Sequence, residues 1–179
     1  NSPRRKELLS GLGICYEVKT LPGIEESYPD TLSGEEIPVF IACEKADAYR
    51  QTMHSDELII TADTIVWLDG LVMGKPEDEE DARRMLRCLS GKTHQVITGV
   101  CLTTTEFQKS FATVTDVTFA ELTEEEIDYY VQKYKPMDKA GSYGIQEWIG
   151  FVGVEGITGS YFNVMGLPIQ RLYKELKKL

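Results

Sequence analysis

The sequence predicts a mixed α/β or α+β domain, a mixed sheet with helices packed on it. Three observations carry the prediction: helical and strand-like periodicities interleave along the chain, a tight hairpin signal joins two of the strand segments, and clear helix caps separate others. The 179 residues, 42% hydrophobic and 27% charged, suffice for one domain with a core of its own.

The elements follow in order. Ser2 caps a helix that has Pro3 at its first position and runs to about Leu12, where Gly11 and Gly13 stop it. Residues 14–20 alternate and read as a strand. Residues 21–36 are loop-like, and a helix over about 38–53 follows with Pro38 in its first turn. Residues 57–68 are rich in Ile, Leu, Val and Thr and read as a strand; Asp69-Gly70 turns the chain back into residues 71–73. Asp78 caps a helix through Leu89, closed by Gly91. Residues 93–105 and 110–121 have strand composition and suit a long antiparallel pair. Thr123 with Glu126 forms a capping box opening a helix to about Tyr134. A glycine-rich loop covers 139–146, a strand is expected over 151–157, and a helix over 168–179 closes the chain.

Composition narrows the function. A formal charge of −10 argues against a general nucleic-acid binder, so any anionic ligand must be held by a local basic cluster. The longest apolar runs are too short to cross a bilayer, and the start carries no secretory signal, which points to a cytoplasmic protein. The four cysteines form no C-x-x-C pair, and two histidines leave little for a zinc site or a histidine-based triad.

Five segments could carry chemistry. Ser2-Pro3-Arg4-Arg5-Lys6 places three cations at a helix start, the end that prefers anions; a phosphate bound there would account for them, and a solvated basic turn is the alternative. Asp63 interrupts an apolar strand, where a carboxylate needs a partner, a metal or a catalytic use. Lys75, in a turn, and Lys45, on a helix, read as solvent-facing when taken alone. In the loop 139–146 the glycines permit close backbone approach, and Gln146 can both donate to and accept from a base edge. The segment 159–168 reads as a loop packing into the core before the last helix.

Taken together and in order, these segments resemble the Maf family over nearly the whole chain. The resemblance is carried by Ser2-Pro3-Arg4-Arg5-Lys6-Glu7-Leu8-Leu9, Glu44-Lys45-Ala46, Ala62-Asp63-Thr64-Ile65-Val66, Gly74-Lys75-Pro76, Leu89-Ser90-Gly91 with His94 and Val96, the run from Asp138 to Gln146, and the run from Gly159 to Pro168. It implies an elongated mixed sheet flanked by helices, a Maf- or ITPase-like single domain over 1–179 with a cleft between two lobes. A first strand ending in Ala-Ser precedes the equivalent of Asn1 in family members and is expected upstream.

The implied activity is hydrolysis of a nucleoside triphosphate to monophosphate and pyrophosphate with Mg²⁺ or Mn²⁺. The resemblance casts Asp63 as proton acceptor, Arg4, Arg5, Lys45 and Lys75 as the cations around substrate, and Glu26 with Asp63 as metal ligands. Arg4, Thr64 and Gln146 match the branch acting on dTTP and UTP rather than the 7-methyl-GTP branch, although Glu147 replaces a glycine usual after the glutamine. A homodimer is implied by analogy. A nucleotide-binding regulator of cell division that acts without turnover is the rival from another class.

Overall fold

The computed structural model describes residues 1–179. The chain forms helices α1 (Pro3–Ser10), α2 (Glu36–Arg50), α3 (Glu79–Leu89), α4 (Glu124–Tyr134), α5 (Trp148–Gly153), α6 (Tyr161–Met165) and α7 (Ile169–Leu176), with strands β1 (Ile59–Leu68), β2 (Leu71–Met73), β3 (Thr93–Thr103), β4 (Gln108–Phe119) and β5 (Val154–Thr158). The strands form one five-stranded sheet in the order β2-β1-β3-β4-β5. The α/β class is the one the sequence predicts; the strands pair antiparallel, which refines the mixed pairing expected of the sheet. No helix is long and apolar enough to cross a membrane.

The chain divides into two compact units. Unit 1 comprises Asn1–Thr64, Thr98–Thr113 and Gly166–Leu179; unit 2 comprises Ile65–Ile97 and Val114–Met165.

In unit 1 the two-residue period of the strands sends neighbouring side chains to opposite faces. Ala62 of β1 joins Val100 and Leu102 of β3 in a core with Phe111, Leu167 and Leu172, which Leu8 and Leu9 of α1 cover. On the other face Thr61 donates to the Ala42 carbonyl of α2 (2.7 Å), and Cys101 packs with Ala42 and Ala46. Gly99 fixes how closely α2 approaches: a Cβ there would stand 2.4 Å from the Pro38 carbonyl carbon.

In unit 2 the antiparallel register pairs Val66 with Met73 and Leu68 with Leu71 around the Asp69-Gly70 turn. β4 pairs antiparallel with β5, with an irregularity at Thr118/Phe119. Phe119, Tyr143 and His94 make a mutual edge-to-face cluster, and Tyr143 lies 2.6 Å from His94 Nε2. The capping box of α4 forms as the sequence predicts: Thr123 Oγ1 accepts from the Glu126 amide, and Glu126 accepts from the Thr123 amide.

Three expectations are corrected. Residues 14–20 are not a strand: they join no ladder of the sheet, and alternation that pairs with no neighbouring strand gives no strand hydrogen bonds. Tyr16 anchors the segment instead, with its hydroxyl donating to the Lys6 carbonyl (2.9 Å) and lying 2.7 Å from Ser10 Oγ. The strand expected over 151–157 begins at Val154, because α5 occupies Trp148–Gly153. The run 159–168 contains the short helix α6; Asn163 within it is buried and donates to the Val96 carbonyl and to Thr115 Oγ1.

Candidate active site

Unit 1 brings together most of the residues singled out in the sequence. Ser2 caps α1, its Oγ accepting from the Arg5 amide at 3.3 Å, so the basic run sits on the first turn as expected. The Arg5 side chain turns inward. Its Nε donates to the Gly166 carbonyl (2.8 Å) and Nη2 donates to Thr64 Oγ1 (3.0 Å). A guanidinium has five N–H donors, so three remain for an anion. Burial lowers the Arg5 pKa, and Asp63 opposes that shift. Arg4 lies close enough to Arg5 to disfavour its charge.

Asp63 and Thr64 are adjacent on β1 and so face opposite ways. Asp63 points to the α2 side, where Lys45 Nζ stands 3.4 Å from Asp63 Oδ1, 3.1 Å from Glu26 Oε1 and 3.2 Å from the Ala62 carbonyl oxygen. Two carboxylates thus converge on one ammonium. Asp63 is buried, and burial raises its carboxyl above the usual carboxylate range while Lys45 and then Arg5 pull it back. Glu26 is exposed, in the loop before α2. A concavity of unit 1 is lined by Ser2, Arg5, Lys6, Glu26 and Lys45; Asp63 reaches it through Lys45, 3.4 Å away.

Lys75 and Gln146 belong to unit 2. Lys75 is exposed in the turn after β2. Gln146 follows a pinned loop: the Tyr130 hydroxyl donates to Glu147 Oε1 (2.6 Å) and accepts from the Gly144 amide (3.0 Å), while the Gly141 amide donates to the Gly74 carbonyl (3.1 Å). Gly141 has φ +69°, and a Cβ there would stand 2.6 Å from Val66 Cγ2, so no other residue fits. Gln146 is half-buried, and its Oε1 is buried with no hydrogen-bond partner.

The family model described as Maf-like protein matches residues 1–179. The chain belongs to the Maf family. It is 82% identical over its whole length to a protein of Phocaeicola vulgatus named dTTP/UTP pyrophosphatase, covering 93% of that relative. Bacteroides fragilis has a protein of the same name, 72% identical with the same coverage, and Parabacteroides distasonis another, 59% identical over 99% of this chain and 92% of the relative. In this Maf chain no group of three or more His, Cys, Asp or Glu side chains stands ready for a metal. The donor set still suits Mg²⁺ or Mn²⁺, which take one or two carboxylates and complete their shell with water and substrate phosphate. Glu26 and Asp63 already converge on one cation, the Lys45 ammonium.

Sequence reasoning missed Thr98 and Gly166. Thr98 is fully buried on β3, with its hydroxyl 2.8 Å from Thr64 Oγ1. Threonine is an ordinary strand residue, so Thr98 within the run Val96, Ile97, Val100, Cys101 and Leu102 gave no signal of the kind that drew attention to Asp63.

Proposed function

We propose that the chain hydrolyses dTTP and UTP between the α and β phosphates, giving the nucleoside monophosphate and pyrophosphate. The observation that carries this reading is the Glu26–Lys45–Asp63 cluster beside the inward-turned Arg5, in a Maf chain with relatives named for that activity.

Arg5 offers three N–H donors to the phosphates, and Arg4 and Lys45 add charge that opposes the negative charge building on the departing pyrophosphate. Lys45 is shared between two carboxylates in the free protein, and a polyphosphate competes for it. Drawn onto phosphate, Lys45 uncovers Asp63. The Asp63 carboxylate then accepts the proton of a water attacking the α-phosphorus. Glu26 and Asp63 would hold a divalent metal, which would supply charge neutralisation and a more acidic water. Gln146 has a buried, unpartnered amide oxygen; uracil and thymine present an N3–H donor that satisfies it.

The test is pyrophosphate release from dTTP, UTP, CTP, GTP and 7-methyl-GTP with Mg²⁺ or Mn²⁺. Release from dTTP and UTP above the others is the expected result. Release mainly from 7-methyl-GTP would overturn the base assignment, and release from none would favour a nucleotide-binding regulator.

A further inference from the structure

We infer that Thr98 is a positioning residue that aims Arg5 at the substrate's phosphates through Thr64. The inference rests on the reading of Arg5 as a phosphate ligand and adds a residue to that site.

The chain of contacts is short and lies within unit 1. The Thr98 hydroxyl is 2.8 Å from the Thr64 hydroxyl, which accepts from Arg5 Nη2 at 3.0 Å. Arg5 Nε donates to the Gly166 carbonyl at 2.8 Å, and Thr64 Oγ1 lies 3.4 Å from that same carbonyl oxygen. The guanidinium is therefore held at two adjacent nitrogens, which fixes both its position and its plane. Gly166 has φ +123°, so a side chain at 166 is strained in backbone, and its Cβ would stand in ordinary contact with Arg5 Nε at 3.7 Å.

Thr64 alone cannot fix this geometry, because a threonine hydroxyl rotates to suit its partners. The second hydroxyl removes that freedom. Thr98 sits across from Thr64 on the neighbouring strand, and its exposure is 0%. Valine has the same shape, is apolar, and favours strands as threonine does. The buried hydroxyl is therefore a cost to the core unless it is bonded. Holding an arginine still before substrate arrives removes an ordering cost from the binding step, and the effect is largest where charge develops in the transition state.

The experiment is a double-mutant cycle on dTTP hydrolysis with Thr98→Val, Thr98→Ser, Arg5→Ala and the Arg5→Ala/Thr98→Val pair. Thr98→Val is expected to lower kcat/KM by up to about tenfold, the upper end of the range for one neutral hydrogen bond, and to weaken inorganic pyrophosphate binding similarly. Thr98→Ser restores both. In the Arg5→Ala background Thr98→Val costs nothing further, because there is no guanidinium left to aim. Should Thr98→Val fail to fold, Thr64→Val breaks the same chain of contacts and is read against Arg5→Ala in the same way. Wild-type activity in Thr98→Val, or an equal loss with and without Arg5, overturns the inference and leaves the phosphate role of Arg5 standing. Wild-type activity in Arg5→Ala overturns that underlying role, and the positioning role with it.

Discussion

A carboxylate buried in an apolar strand is expensive, and Asp63 remains tolerable because Lys45 is 3.4 Å away and Arg5 adds a further favourable charge. Asp63→Asn keeps the shape and removes the buried charge. It is expected to cost roughly 10² to 10⁴ in turnover without lowering the melting temperature; near-normal turnover by the folded variant would remove Asp63 as proton acceptor. Asp63 was legible in the sequence because a charge breaks the apolar pattern. Lys45 was legible only through the family resemblance, since a helical lysine taken alone reads as solvent-facing and only the fold brings it to two carboxylates. Thr98 escaped notice because threonine is an ordinary strand residue whose hydroxyl leaves no mark on hydropathy. His94 gives a prediction of another kind. Burial lowers its pKa from 6.5 to about 4, so the folded protein keeps it neutral over a range where the unfolded chain takes up a proton. Stability is therefore lost as pH falls from the unfolded value towards the folded one. The loss is about 2 kcal/mol between about pH 7 and about pH 5. Urea unfolding of wild type and His94→Gln at both pH values checks this, and the variant is expected to show a correspondingly smaller difference.

At the scale of elements, caps and turns were legible and isolated extended segments were not. The Thr123 box, the Asp78 cap and the Asp69-Gly70 turn are local chemistry, and each forms where the sequence places it. Residues 14–20 alternate like a strand, but a strand exists only if a sheet edge receives it, which is a property of the whole topology. Residues 148–153 carry aromatic and β-branched side chains yet form α5, where tertiary context outweighs propensity. The element that matters most for the site is α2, because it carries Lys45. Its seat is Gly99, where a Cβ would meet the backbone of Pro38 and Val39. Gly99→Ala is expected to destabilise by roughly 1–3 kcal/mol and to reduce turnover further by shifting Lys45 from Asp63. Denaturant unfolding and kcat/KM for dTTP measure the two effects. Gly74→Ala, where a Cβ meets nothing within 4 Å, serves as the control for stability.

At the scale of the whole molecule, the acid balance and the site pull in opposite directions. A chain of formal charge −10 that binds a polyanion must gather its cations locally, and Arg4, Arg5 and Lys6 on one helical turn do so. The fold class was legible from interleaved periodicities. The hairpin pairing of β1 with β2 and the antiparallel pair β3 and β4 were legible from turn and strand composition; the place of β5 beside β4 was not, because hydropathy alone does not fix which strands are neighbours. The central claim is that water attacks the α-phosphorus and pyrophosphate leaves. Hydrolysis of dTTP in ¹⁸O-labelled water, with both products analysed by mass, tests it most directly. The account predicts one labelled oxygen in the monophosphate and none in pyrophosphate; label in pyrophosphate, or release of inorganic phosphate as the first product, would contradict it.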